Sequence, residues 1–183
     1  MSTIPFIGAI GPDGEEGPDR DAWTTPRWFT RALGRVWLDP CSNEYSKVEA
    51  DKTFRLDLGQ DALKLARYVP RDPPGIVFIN PPYSRGMVIQ FVRAFCRTRF
   101  CFLLRYDPST DWFNELQLCT GAIVQPLRRV NFDPPPGLVV ATDNHNNPFP
   151  MASFFRDVAD VPLALRKISI VLRPERISHV AAT

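Results

Sequence analysis

An α/β fold with a mixed, mostly parallel sheet and helices on both of its faces is what this 183-residue sequence predicts. Three features predict it. The runs Ile76-Val77-Phe78-Ile79 and Phe100 to Leu104 are apolar throughout, the composition of strands buried on both faces. Segments with helical spacing alternate with them, as crossovers between parallel strands require. The last third of the chain is dense in strand-like runs, which implies an antiparallel extension.

In chain order, Thr25-Pro26 reads as a helix start, because Thr can cap and Pro suits the first helical position. Trp28, Phe29, Ala32 and Leu33 follow at helical spacing, and Gly34 suits the stop. Val36-Trp37-Leu38 reads as a buried strand that opens at Asp39-Pro40. Residues 41–58 carry no periodicity that assigns them. Asp61 to Val69 reads as a helix, broken by Arg71-Asp72-Pro73-Pro74-Gly75. Ile76 to Ile79 is a strand ending at Asn80-Pro81-Pro82-Tyr83, and Ser84 can cap a helix reaching about Arg97. The strand Phe100 to Leu104, a turn at Asp107 to Thr110 and a helix from Asp111 to Cys119 come next. Strand-like runs then fall at Ala122–Gln125, Val130–Phe132, Leu138–Ala141, Ala152–Phe155 and Ile168–Leu172.

The length suits one domain. Residues 8–21 hold four glycines, two prolines and five acids against one base, so 1–21 reads as a flexible acidic arm and 22–183 as the folded unit. The overall charge of +2 averages these two parts; residues 22–183 alone carry +6. No apolar run is long enough to span a membrane, and Met1 to Ala9 has neither the basic start nor the apolar core of a secretory signal. The expectation is a cytoplasmic protein with no membrane partner. Cys41, Cys96, Cys101 and Cys119 form no C-x-x-C pair, and His145 and His179 have no ligand spacing, so no metal is expected. The cysteines read as reduced core thiols.

The tetrapeptide Asn80-Pro81-Pro82-Tyr83 carries the chemistry. It follows a buried strand and precedes a helix, and ligands in open α/β sheets bind at the carboxyl ends of strands. Two prolines also make a plain strand-ending turn, and that reading stays open. The functional one has a specific logic. An exocyclic amine on a nucleobase is a poor nucleophile, because its lone pair is delocalised into the ring. Two acceptors aimed at its N–H groups free that lone pair. The Asn80 side-chain oxygen and the Pro81 carbonyl can be those acceptors, held by a Pro-Pro segment with no competing donor. Tyr83 offers a face on which an extruded base can stack.

The motif set resembles the phage-type, Dam-like DNA N6-adenine methyltransferases, in order over about residues 21–156. Asp21-Ala22-Trp23-Thr24-Thr25-Pro26 is similar to the family's D-x-W-x-T-P, and Leu38-Asp39-Pro40-Cys41-Ser42 to its L-D-P-C-A. Asp61-Ala62-Leu63 stands where the family has D-G-L. Thr110-Asp111-Trp112-Phe113, Arg128 to Phe132 and Asn147 to Ser153 resemble its later segments. The resemblance implies a Rossmann-like class I methyltransferase fold that binds S-adenosylmethionine (SAM). Asn80, Pro81, Pro82 and Tyr83 would then be catalytic. Trp23, Thr24, Thr25, Pro26, Asp39, Pro40, Asp61 and Asn80 would border the cofactor. Taken alone, Asp39 and Asp61 read as a loop acid or a helix cap rather than as cofactor ligands, and Thr25-Pro26 reads equally as a cap. The chain departs from the pattern in three ways: the C-S-N-E-Y-S-K run after Asp39-Pro40 has no glycine, only 41 positions separate Asp39 from Asn80, and Ala62 replaces a family glycine. The cofactor half is therefore expected to be abbreviated.

Double-stranded DNA is the expected partner, bound by a monomer or weak dimer, with recognition elements in about 126–150. Seven arginines against three acids lie between Arg85 and Arg129. Arg93 and Arg97, one helical turn apart, read as a solvated face. Arg85, Arg128 and Arg129 are the candidates for phosphate or guanine contacts. Asn144 and Asn146 lie in a polar loop that reads bases or simply turns the chain. The expected activity is methyl transfer to N6 of a flipped adenine. The alternatives are another amine (cytosine N4, an RNA base or a glutamine amide) or a DNA-binding relative without catalysis.

Overall fold

A computed structural model describes residues 23–84, 86–136 and 147–174. Arg85, Asn144, Asn146, both histidines, the acidic arm and the expected strand Leu138–Ala141 lie outside the described residues.

The described chain runs α1 (Arg27–Leu33), β1 (Val36–Ser42), β2 (Ala50–Arg55), α2 (Ala62–Leu65), β3 (Val77–Ile79), α3 (Met87–Phe95), β4 (Phe100–Arg105), α4 (Asp111–Gln117), β5 (Ala122–Pro126), β6 (Met151–Phe155), α5 (Leu163–Lys167) and β7 (Ser169–Leu172). Single 3₁₀ turns sit at Leu56–Leu58, Ala66–Tyr68 and Val158–Asp160. All seven strands join one sheet in the order β2-β1-β3-β4-β6-β5-β7. The pairs β2·β1, β1·β3 and β3·β4 are parallel, and β4·β6, β6·β5 and β5·β7 are antiparallel. This is the α/β, Rossmann-like arrangement with an antiparallel extension. Against the doubly wound order 3-2-1-4-5-6, the first half has two strands where three are usual, which accounts for the short span between Asp39 and Asn80.

Alternation along β4 shows why the sheet is covered twice. Phe100, Phe102 and Leu104 face one core with Val88, Phe91, Phe95, Phe113 and Leu116 of α3 and α4. Cys101 and Leu103 face the other, with Phe29 and Leu33 of α1 and Leu165 of α5. Successive side chains of a strand point to opposite faces, so an unbroken apolar run feeds both cores.

Several boundaries differ from the sequence reading, each for a local reason. Pro26 is the N-cap of α1 and makes no side-chain cap, while the Thr25 hydroxyl bonds to Asn80. Gly34 ends α1 as expected, at φ 78°, a left-handed backbone that suits glycine. β1 continues through Asp39-Pro40 to Ser42, because the register with β2 slips by one residue between Asp39 and Ser42. A bulge tolerates a proline that a regular ladder would not. β2 was invisible in the sequence, being a polar edge strand whose Asp51, Lys52 and Thr53 are exposed. Asp61 caps α2, which lasts four residues before tightening to 3₁₀. Gly86, not Ser84, precedes α3, and the helix stops at Phe95. Val130–Phe132 is not a strand: Pro126 closes β5, and the carbonyl of Val130 and the side chain of Asn131 bond to Asn147 instead. α5 went unread because five residues hold too little periodicity.

The feature that positions the site is a divergence. β1 and β3 share one register pair, Leu38 with Val77. The chain leaves β1 toward β2 on one side and returns to β3 on the other, so this gap is the topological switch point of the sheet. Asp39 and Asn80 stand on its two lips.

Candidate active site

A cleft of about 870 Å³ opens at the switch point. Its volume is in the range of sites that hold a whole small-molecule ligand. Of the residues singled out from the sequence, Trp23, Thr24, Thr25, Asp39, Pro40, Asp61, Asn80, Pro81, Pro82 and Tyr83 all line it. Pro26 does not; its backbone is taken up in starting α1.

Asn80 leaves the end of β3 with its carboxamide divided. Nδ2 donates to Thr25 Oγ1 at 3.3 Å, which turns Oδ1 the other way. That oxygen is buried and has no hydrogen-bond partner. A buried acceptor left unsatisfied costs about 1–3 kcal/mol. Thr25 is held in turn, because Thr24 exchanges both backbone hydrogen bonds with Asp133, each at 2.9 Å. Pro81 is buried beside Asn80. Tyr83 is anchored by its hydroxyl, which donates to the Leu103 carbonyl of β4 at 3.3 Å. Burial pushes that hydroxyl well above its ordinary range despite the nearby Arg105, so it stays protonated and serves as a donor, not a base.

Asp39 is 3% exposed. Burial raises its carboxyl from 3.8 to about 6, against hydrogen bonds from the Cys41 amide and the Ser46 and Ser42 hydroxyls that pull it down. Oδ1 accepts from Cys41 N–H at 3.1 Å and Oδ2 from Ser46 Oγ at 3.2 Å. A carboxylate has about four acceptor positions, so with these three donors Asp39 keeps room for about one more. No cation pairs with Asp39 among the described residues. Burial and the adjacent Asp39 push the Cys41 thiol well up, which keeps it protonated and unreactive.

The glycine-free loop after Pro40 is built on side-chain turns. Asn43 Oδ1 accepts from Tyr45 N–H at 2.9 Å, and Ser46 Oγ accepts from Val48 N–H while donating to Asp39. These residues line the cleft and went unread, since nothing in C-S-N-E-Y-S marks a wall beyond Asx and Ser turn chemistry. On the opposite wall Asp61 Oδ1 accepts from Leu63 N–H at 3.0 Å and Lys64 N–H at 3.4 Å. Partial burial acts to raise its carboxyl, but the bonds from Lys64 and Leu63 outweigh it and hold the group below its ordinary value.

A scan of protein-family models and searches of curated proteins and solved structures find no match to the chain. The chemistry of the cleft therefore carries the functional reading. Among the described residues no group of three potential ligands could hold a metal ion, and no helix is long and apolar enough to cross a membrane.

Arg128 and Arg129 lie off the cleft, exposed, between β5 and the Asn147 segment. The Arg128 guanidinium sits 3.9 Å from the centroid of the Trp28 ring, and Arg129 donates to the Asn147 carbonyl. Arg93 pairs with Glu115 across α3 and α4, and Arg97 is exposed. Phe113 packs edge-on against Phe154, 5.4 Å between centroids, in the core.

Proposed function

We propose that the protein is a SAM-dependent DNA methyltransferase acting on N6 of adenine. The observation that carries this reading is the buried, unpartnered Oδ1 of Asn80, a residue of an N-P-P-Y segment at the switch point of the sheet, on the wall of a cleft that also holds an unpaired buried carboxylate. The fold leaves an acceptor unsatisfied where an amine would need one.

The residues present fit the cofactor. Asp39 retains acceptor capacity for an ammonium group or ribose hydroxyls, and about 870 Å³ is room for more than a single small group. When bound, SAM would supply a methyl group made electrophilic by its sulfonium. The chain's own part is to bind and orient. Asn80 Oδ1 accepts one N–H of the target amine and the Pro81 carbonyl the other, which draws the nitrogen toward a tetrahedral shape. Thr25 accepts from Asn80 Nδ2 and so holds the amide in place, with its oxygen on the side away from Thr25. Tyr83, tethered to β4, gives the extruded base a flat surface.

Nucleoside analysis of unmodified DNA after incubation with labelled SAM tests this. N6-methyladenine that disappears in Asn80→Ala is expected, and N4-methylcytosine would overturn the base assignment. Competition among DNA, RNA and protein substrates separates the other amine acceptors. One observation favours a second reading, a DNA-binding relative without catalysis: both Asp39 oxygens already accept from the chain's own loop. Calorimetry showing no SAM binding with or without DNA would establish that alternative.

A further inference from the structure

A second hollow, of about 190 Å³, shares Tyr83 with the main cleft. It is smaller than the ~300–1,000 Å³ of sites that take a whole small molecule, and so suits one compact group. Its chemistry is set by Arg105, the last residue of β4.

Seven other arginines have polar partners, and Arg128 lies over the single ring of Trp28. Arg35, Arg55, Arg93 and Arg99 pair with carboxylates, and Arg129, Arg156 and Arg166 donate to backbone carbonyls. Arg105 has neither kind of partner among the described residues. Its guanidinium lies instead between two rings, 3.8 Å from the Phe149 centroid and 4.9 Å from that of Tyr83. Stacking engages the faces of a guanidinium and leaves its in-plane N–H groups available. Among the described residues the sole acid lining the hollow is Asp107, whose Oδ1 accepts from the amide and hydroxyl of Ser109. The first turn of α3, which begins at the same hollow, contains no acidic residue and has no side-chain cap, so the local field adds to that of Arg105.

We propose that this hollow is a phosphate subsite: Arg105 forks onto one backbone phosphodiester of the DNA strand carrying the target base, beside the nucleotide that stacks on Tyr83. This rests on the DNA methyltransferase reading above. Arg105 is a positioning residue, since it holds the strand and does not touch the reacting amine. The rings on either side hold the cation in place, so the phosphate meets a preorganised donor.

The test compares wild type with Arg105→Met and Arg105→Lys on a duplex substrate and on a series in which single phosphates around the target adenine are replaced by neutral methylphosphonates. For Arg105→Met the DNA KM should rise about tenfold or more. The slope of log K against log salt should flatten by about 0.9, the loss of one phosphate contact. SAM affinity should stay within about twofold, since Arg105 does not line the cofactor cleft. Arg105→Lys should keep the salt slope and lose part of the affinity, because the point charge survives and the fork does not. One methylphosphonate should weaken the wild type and leave Arg105→Met unaffected. A wild type that methylates DNA, with an unchanged salt slope in Arg105→Met and no such position in the series, overturns the phosphate subsite alone. A wild type that neither binds nor methylates DNA overturns the reading beneath it as well.

Discussion

The two walls of the cleft use the same kinds of residue to opposite ends. At the bulge in β1 and just past the end of β3, Asp39 and the Asn80 side-chain oxygen are buried with needs the fold does not meet: a carboxylate without a cation, an amide oxygen without a donor. At the start of α2, Asp61 has its hydrogen bonds filled by Leu63 and Lys64 and is accordingly held low. Both aspartates border one space and sit beside the same motif set. Burial and local backbone, not residue type, separate an acid left without a cation from one that holds up a helix. Substitutions on the first wall should therefore cost activity and spare or raise stability; those on the second should do the reverse.

The largest effect belongs to Asn80→Ala. Loss of an aimed polar group at a reacting centre typically costs about a hundredfold or more in turnover, while the thermal midpoint should hold, since the lost bond to Thr25 is offset by removal of an unsatisfied oxygen. A collapse of stability together with activity would make Asn80 structural and break the comparison.

Asp39→Asn comes next. The folded carboxyl titrates near 6 and the unfolded one near 3.8, so the native state favours the protonated form. Stability is then highest below about pH 4 and falls as pH rises through about 6, by up to about 3 kcal/mol from this group. Denaturant titrations at roughly pH 4 and roughly pH 7 should show Asp39→Asn losing that dependence and gaining stability at the higher pH. Calorimetry should show wild-type SAM affinity rising as pH increases through about 6, where the carboxylate forms, and no such rise in the variant. An affinity flat across that window would remove Asp39 from the cofactor site.

Asp61→Ala should do the opposite, costing about 1 kcal/mol of stability as a lost N-cap while leaving turnover within about threefold. The smallest effect is expected of Lys64→Ala. The Lys64–Asp61 ion pair spans 3.2 Å but its lysine side chain is 82% exposed, so denaturation should not distinguish it from wild type. A loss matching that of Asp61→Ala would shift the weight from the cap to the ion pair.

The sequence made the buried strands legible because they carry their signal in every residue: Val77 to Ile79 and Phe100 to Leu104 allow few other readings. It was silent where a strand is polar, as in Ala50–Arg55, or where a helix spans barely a turn, as in Leu163–Lys167. Pro40 misled because proline usually ends a ladder, and the bulge that admits it is a property of two strands together. In the site, the tetrapeptide and the Asp39-Pro40 corner were legible as motifs. The bond from Asn80 to Thr25 was not, since each residue alone suggests a turn or a cap. Arg105 was one charge among seven until its position between two rings set it apart.

The Thr24–Asp133 bridge also bears on when the site comes into being. The tetrapeptide is local, but its orientation is not: Asn80 is turned by Thr25, and the segment holding Thr25 is fastened to a residue 109 positions downstream of Thr24. Contacts so distant in sequence carry a large loop-closure cost and form late. A chain still on the ribosome can have made β3 and its N-P-P-Y segment and yet lack the strap that aims the amide. The site becomes complete only once synthesis has passed Asp133, by which point most of the sheet that shelters it is also present.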